Sequence, residues 1–388
     1  MNKSIYQKRI KSKMPTVHKK KTQYENKYKL KKNIFRLGEL FCGPGGIALG
    51  AISATAVSKK TIWGIKHTWA NDYSEETCLT YRRNICPENP DSVIHLDVRN
   101  LDISILPYID AFAYGFPCND FSLVGKQKGF NGSFGPLYTY GIKIINHFKP
   151  KFFVAENVGG ITSANNGKAF NKIIKDLKTA GNGYILTSHL YKAEDYGVPQ
   201  TRHRIIIVGF DKTLNMRFNV PAPTTINNPI SARTAIEKPP IKKNAYNNEH
   251  TTQSPKVVER LKYIKPGENI WNTKLPNKLK LNVKGAKMSQ IYRRLHPDKP
   301  SYTITGSGGG GTHGYHWREN RALTNRERAR LQTFPDNFIF EGSKEGVRKQ
   351  IGMAVPPTLS KVIFTAILNC FANIPYPFVN ASILDENN

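Results

Sequence analysis

Acidic residues are scarce in this chain: 28 Asp and Glu stand against 58 Lys and Arg, a formal net charge of +30 over 388 residues. That excess goes far beyond what solubility requires, and its field attracts a polyanion, with nucleic acid the first candidate. A general drift of composition toward Lys and Asn is the bland alternative. Cysteine is also sparse. Cys42, Cys78, Cys86, Cys118 and Cys370 form an odd set without a C-x-x-C pair, so neither a disulfide framework nor a zinc site is indicated and a reducing compartment is expected. No apolar run approaches the roughly 18 to 20 residues of a membrane span. The basic N-terminal stretch lacks the apolar segment of a signal peptide, so no membrane association is expected.

What the chain does contain falls into four stretches. Residues 1–33 carry many lysines, one acid (Glu25) and few large apolar groups. Such a composition cannot bury a core and predicts a disordered or loosely attached basic arm, either a phosphate-binding extension or a passive tail. From Ile34 short β-like runs alternate with helical patterns: Ile34–Leu40, Trp63–Ala70, Val93–Leu96, Ile109–Tyr114, Phe152–Ala155, Tyr184–Leu190 and Arg204–Gly209. Leu137, Tyr140, Ile144, Ile145 and Phe148 recur at helical spacing, as do Phe170, Ile173, Ile174 and Leu177, which end at Gly181. This alternation over 34–211 predicts an α/β fold, a doubly wound, mostly parallel sheet. Residues 212–342 form a second region, and up to about residue 310 it is rich in Pro, Asn, Lys and Gly without a sustained period. Thr324-Asn325-Arg326-Glu327 is a capping-box sequence that opens a basic helix before Pro335. Residues 343–388 return to the first domain, with Leu359, Val362, Ile363, Ala366 and Ile367 on one helical face.

The most informative local feature is Phe116-Pro117-Cys118-Asn119, followed 38 residues later by Glu156-Asn157-Val158. Each closes an apolar strand, and open α/β sheets gather their chemistry at the carboxyl ends of strands. A lone Cys is usually a small core residue, yet this one follows Pro and precedes Asn119, Asp120 and Ser122, polar company that suits a core badly. A thiolate nucleophile and a carboxyl acid are therefore expected at one sheet edge. At the first strand end, Phe41-Cys42-Gly43-Pro44-Gly45-Gly46 is a glycine turn that lets a helix N-terminus approach a cofactor. Asp72 and Tyr73 close the next strand, and Asp97 and Val98 a third, a succession that favours a nucleoside-containing cofactor. In Gln200-Thr201-Arg202-His203-Arg204, alternation sends Arg202 and Arg204 to one face, where two guanidinium forks could hold phosphate or orient a carboxylate. A charged strand entrance is the structural alternative.

Gly43-Pro44-Gly45-Gly46, Pro117-Cys118, Glu156-Asn157-Val158, Gln200-x-Arg202-x-Arg204, the Arg321–Pro335 helix and Gly352-x-Ala354-Val355 occur in this order. As an ordered set they resemble the bacterial DNA (cytosine-5) methyltransferases, over roughly residues 34–211 and 320–370. The resemblance implies a sheet of the S-adenosylmethionine-dependent methyltransferase type and a target-recognition domain in 212–342. It implies S-adenosylmethionine as cofactor. Phe41, Gly43, Gly45 and Gly46 would surround its methionine part, Asp72 its ribose and Tyr73 its adenine. Asp97 and Val98 would line the adenine site, and Pro117, Leu137 and Ala354 would complete the pocket. Cys118 would be the nucleophile, Glu156 the cytosine-binding acid, Arg204 the residue that orients base and carboxylate, and Gly125 to Tyr138 the closing loop. Candidate DNA contacts are Arg202, Arg293, Arg294, Thr303 and Gly308.

The same resemblance implies double-stranded DNA as substrate, a separate restriction endonuclease as genetic partner, a monomer without a stable protein partner, and a bacterial cytoplasmic location. Three positions depart from the family pattern: Asn119 where Gln is common, Phe134 where the loop often has Arg, and Met353 where Asn is usual. None removes the nucleophile or the acid. A tRNA cytosine-5 methyltransferase and a catalytically silent DNA-binding relative are the competing readings. The large irregular insert weighs against the first, and the intact Cys118 and Glu156 against the second.

Overall fold

Strands buried on both faces carry apolar residues without interruption, and the central strands of this protein do so. The computed structural model describes residues 30–116, 137–162, 167–282, 288–309 and 311–383. Within them run β1 (Lys31–Leu40), α1 (Gly46–Ser53), β2 (Thr55–Ser58), β3 (Thr61–Asp72), α2 (Glu75–Asn84), β4 (Val93–His95), β5 (Ala111–Gly115), α3 (Tyr138–Phe148), β6 (Phe152–Val158), α4 (Lys168–Thr179), β7 (Tyr184–Lys192) and β8 (His203–Asp211). They build an eight-stranded sheet of order β2-β3-β1-β5-β6-β8-β7, with β4 also paired to β3. Strands β4, β3, β1, β5 and β6 are parallel. β8 returns antiparallel between β6 and β7, and β2 is antiparallel to β3. The mostly parallel α/β architecture expected from the sequence is present.

Alternation along the strands feeds two cores. Phe152, Val154, Ile206, Val208 and Phe210 face one layer with Leu359, Ile363, Phe364 and Ile367. Phe153, Ala155, Ile205 and Ile207 face the other, with Ile144, Ile145 and Phe148 of α3 and Phe170, Ile173 and Leu177 of α4. Two expectations need adjustment. β1 begins at Lys31 rather than Ile34, because Lys31 to Asn33 pair with Thr61 to Trp63, so the described end of the basic arm is strand. β2 was not expected, since Thr55–Ser58 is too short and half exposed to show a period; its pairing with β3 through the Lys59-Lys60 turn creates it. The remainder of the arm, residues 1–29, lies outside the described residues.

Beyond the sheet come β9 (Val220–Pro221), α5 (Ala232–Glu237), α6 (Pro255–Tyr263), α7 (Asn325–Leu331), α8 (Lys344–Met353), α9 (Pro357–Ala372) and β10 (Phe378–Val379). The capping box of α7 forms as its sequence indicates: the Glu327 N–H donates to Thr324 Oγ1 at 3.1 Å, and the Thr324 N–H to Glu327 Oε2 at 2.8 Å. Phe218 and Val220 belong to the core under α9. Leu323, Ala329, Leu331, Phe334, Phe338 and Phe340 share a core with Cys42, Ala48 and Cys78. A cluster within residues 212–342 joins Leu261, Ile264, Ile270, Tyr292, Tyr315 and Ala322.

Helix α1 is held close to the C-terminal segment by small residues. A Cβ at Gly46 would lie 2.2 Å from the Val355 carbonyl oxygen, and one at Gly50 would lie 2.5 Å from that of Pro357. Backbone cannot yield as a flexible side chain can. Gly46→Ala should therefore cost about 1–3 kcal/mol of stability, read as a lower urea midpoint. An unchanged midpoint would contradict this close packing.

Candidate active site

β5, β6 and β8 meet at one edge. β5 and β6 run parallel with Gly115 opposite Glu156, and the lack of a side chain at Gly115 matters: a Cβ there would sit 3.1 Å from Glu156 Oε2. β8 runs back beside β6 and brings Arg204 to Glu156, with Nε 2.9 Å from Oε1 and both side chains 13% exposed. Asn157 donates from Nδ2 to the Phe116 carbonyl at 3.0 Å, which ties the end of β5 to the end of β6. Pro117, Cys118 and Asn119, with the expected closing loop as far as Pro136, lie outside the described residues. Leu137 and Tyr138, where that stretch ends, are buried.

Burial pushes the Glu156 carboxyl above the usual carboxylate range, and the charges of Arg204 and then Arg202 pull it back. The acid is thus near enough to two cations to remain at the site, yet desolvated enough to hold a proton more readily than a surface glutamate. Arg202 takes a different part from the one expected. It is 1% exposed, and its guanidinium donates to the carbonyls of Ile304 at 3.2 Å and Gly352 at 3.1 Å. Buried among carbonyls, it has no surface to offer a DNA phosphate; it is a framework cation that also acts on Glu156. Arg294 is likewise 3% exposed and donates to the carbonyls of His316, Glu319 and Leu261. It too is withdrawn from DNA contact. Arg293 lies over the Tyr302 ring at 4.5 Å and is half-buried, and Gly308 is exposed. Thr303 donates to the Thr201 carbonyl at 2.7 Å.

The glycine turn separates into residues that pack and one that faces space. Cβ atoms at Gly45 and Gly46 would strike Ile85 and the Val355 carbonyl, whereas one at Gly43 would meet nothing within 4 Å. Gly43 and Gly45 have φ of +53° and +95°, and Phe41 adopts +52°. Asp72 holds this turn: its carboxylate accepts from the N–H groups of Gly43 and Ser74, each at 3.0 Å. Beside it Tyr73 leaves 71% of its surface open, unusual for an aromatic side chain at a sheet edge. Asp97 accepts from the Arg99 side chain at 2.6 and 2.9 Å, which lowers its pKa, while Val98 and Ala354 are buried. Met353, one of the departures from the family pattern, projects with 63% exposure while its carbonyl accepts from Arg202 at 3.4 Å.

Two features escaped sequence reading. Glu39, 1% exposed in β1, accepts from the Tyr81 hydroxyl at 2.9 Å, and burial pushes its carboxyl up to about 8. An acid inside the apolar run Ile34–Leu40 was the available signal. The second is a staple between distant segments: Gln200 Oε1 accepts from the Ile304 N–H at 2.8 Å, and the Thr201 N–H donates to the Ser301 carbonyl at 2.7 Å. Nothing in the sequence links residues a hundred positions apart.

Comparison with known proteins identifies the family of the chain. Residues 35–369 match the family model of the C-5 cytosine-specific DNA methylases. The type II methyltransferase M.BbvI of Brevibacillus brevis is 58% identical over 354 residues, covering 89% of this chain and 94% of that protein. M.NgoFVII of Neisseria gonorrhoeae, also a type II methyltransferase, is 40% identical over 343 residues, 86% of each chain. Among solved structures, an Escherichia coli prophage protein described as a DNA modification methyltransferase superposes with a TM-score of 0.67 at 24% identity, covering 87% of this chain and 99% of the other.

Removal of the Arg204 guanidinium should unmask the burial effect on Glu156. In Arg204→Met the carboxyl loses its main opposing charge, so its titration moves further up the pH scale, followed by carbon-13 NMR of labelled glutamate. A titration unchanged from wild type would mean that the 2.9 Å pair does not control the acid.

Proposed function

Because the chain belongs to the C-5 cytosine-specific DNA methylases, as its match over residues 35–369 shows, we propose the finer reaction. The enzyme is a DNA (cytosine-5) methyltransferase of the type found in type II restriction–modification systems. In the proposed reaction it acts on one cytosine within a short specific sequence of duplex DNA, with Cys118 as nucleophile and Glu156 as acid. The observation that carries this reading is the register that sets Gly115 opposite Glu156 and ties Phe116 to Asn157. Two peptide units separate Phe116 from Cys118, so their Cα atoms stay within about 7–8 Å. This short tether supports the pairing of Cys118 with Glu156 in the proposed reaction.

Cytosine C5 is a poor nucleophile. Addition of the Cys118 thiolate to C6, with the Glu156 carboxyl donating a proton to N3, places electron density on C5. C5 then takes the methyl group, and its proton passes to a solvent base. The electrons of that C–H bond restore the C5–C6 double bond, the S–C6 pair returns to the Cys118 sulfur, and N3 gives its proton back to Glu156. Cysteine suits both steps, being a strong nucleophile and a competent leaving group. Arg204 holds Glu156 in place throughout and keeps its carboxyl from swinging away. Since C6 is closed off inside a duplex, the base must leave the stack, at about a few kcal/mol; phosphate contacts under a net charge of +30 offset that cost.

For the methyl donor, the residues present fit S-adenosylmethionine. Gly43 borders open space, Tyr73 is largely exposed, and the carboxyl groups of Asp72 and Asp97 stand at the end of β3 and just past the end of β4. When bound, this cofactor supplies an electrophilic sulfonium methyl. Phe41, Gly45, Gly46, Val98, Pro117, Leu137 and Ala354 complete the proposed pocket. Target recognition is proposed for 212–342, centred on the cluster from Leu261 to Ala322, with Arg293, Thr303 and Gly308 as contacts. A cognate endonuclease as genetic partner, a monomeric state and a cytoplasmic location complete the proposal.

Transfer of labelled methyl from S-adenosylmethionine to unmethylated duplex DNA, with bisulfite sequencing, tests the reading. Methylation of C5 at one short motif is expected, with Cys118→Ser losing turnover by at least about a thousandfold while retaining DNA binding. Transfer to tRNA alone, or Cys118→Ser turnover near wild type, would overturn it. Deleting residues 1–29 should weaken binding across all sequences and flatten its salt dependence; an unaltered salt slope would make that arm a passive tail.

A further inference from the structure

The Gly306–Gly309 turn is built with unusual care for a glycine run. It leaves the framework at Ile304, whose N–H is bonded to Gln200 and whose carbonyl accepts from Arg202. Arg202 lies two positions before the arginine that holds Glu156, so the turn springs from the rim of the proposed active site. Its outer residues Ser307, Gly308 and Gly309 are exposed. Such a run could have been a slack linker, but its backbone is gripped from two sides.

From beneath, Arg348 fills the space that a side chain at Gly308 would need. A Cβ there would lie 2.2 Å from the Arg348 Cζ and 2.3 Å from its Nε. Arg348 is 9% exposed and donates through Nε toward the Gly306 carbonyl at 3.4 Å. From the side, the Gly309 N–H donates to His313 Nε2 at 3.0 Å, and Thr312 returns its N–H to the Gly309 carbonyl at 2.9 Å. The His313 carbonyl is in turn held by Arg328, which is 3% exposed. Nε2 can accept only while the imidazole is uncharged. Burial, with Arg328 and Arg348 beside it, lowers the His313 pKa to about 4, so the acceptor persists at neutral pH. Gly309 itself has φ of +95° and open space where a Cβ would be.

We propose that Arg348 and His313 are positioning residues for sequence recognition, holding the Gly306–Gly309 backbone in one shape so that it meets the groove of duplex DNA beside the target cytosine. This rests on the reading of the protein as a DNA methyltransferase. A turn without side chains lets peptide N–H and C=O groups approach base edges closely, and discrimination then depends on where the backbone stands rather than on a flexible side chain. Base-edge contacts of this kind distinguish a cognate site from one carrying a single base-pair change. A platform that fixes the turn therefore controls selectivity more than rate.

The test uses the full-length protein in two variants, Arg348→Met and Gly308→Ala. The first removes the support, and the second forces a methyl group into the guanidinium's place. Single-turnover methylation is measured on the duplex sequence that wild type modifies and on duplexes carrying single base-pair changes, across a range of DNA concentrations. Both variants are expected to lose about tenfold or more of the cognate to near-cognate ratio, with the apparent DNA affinity falling more than the saturated rate. A proportional fall on every duplex with the ratio intact in both variants would assign Arg348 a purely structural role and overturn the inference. Should Arg348→Met not fold, an intact ratio in Gly308→Ala overturns it alone. If wild type methylates no duplex DNA, the functional reading fails first and takes this inference with it.

Discussion

One largely enclosed ion pair organises the site. Glu156 and Arg204 meet at 2.9 Å with 13% of each side chain exposed, and a carboxylate so placed cannot lose its partner cheaply. Breaking a buried pair typically costs about 3–5 kcal/mol because a charge remains stranded. Gly115 leaves room for the carboxylate, which a Cβ would crowd at 3.1 Å, β8 returns antiparallel and delivers the arginine, and Arg202 adds a second positive charge from a position closed to solvent. Arg202 can remain buried because carbonyls of Ile304 and Gly352 converge on it. Strand pairing and the two apolar cores bring three segments distant in sequence to this sheet edge, and the charges of Glu156, Arg204 and Arg202 give that edge its chemistry.

The distribution of arginine shows a second use of charge. In the irregular region few carbonyls have a strand or helix partner, and an unpaired buried carbonyl is costly. Guanidinium forks supply the donors. Arg260 serves Leu279, Arg326 serves Tyr246, Pro335 and Phe338, and Arg330 serves Ile236. Part of the basic composition is therefore internal scaffolding rather than a polyanion-binding face. The excess of +30 still leaves ample surface charge for the long-range attraction of DNA, because these buried arginines are few against 58 basic residues.

This dual use explains where sequence reading succeeded and where it failed. The strand runs and the α7 capping box were legible, because local periodicity and capping chemistry have a short-range signature. The Glu156–Arg204 pairing was expected only through the family resemblance, the strand alternation leaving Arg202 and Arg204 undistinguished. Arg202 and Arg294 were misread as DNA contacts, since an arginine that serves carbonyls and one that serves phosphates look alike in a sequence. Gly46 is expected beside the cofactor, and the structure adds a packing role that no local pattern reveals: its missing Cβ makes room for Val355, more than three hundred positions away. Glu39 went unnoticed although an acid in an apolar strand was visible. The staple from Gln200 to Ile304 has no local signature at all.

The central claim is that Cys118 attacks the cytosine that Glu156 holds. Duplex DNA carrying 5-fluorocytosine at the target position tests it directly, because a C–F bond at C5 prevents the elimination that would release the cysteine. With S-adenosylmethionine present, the account predicts a denaturation-resistant protein–DNA complex whose cross-linked peptide maps to Cys118. No complex on DNA that the enzyme otherwise methylates, or a cross-link at another residue, would contradict it.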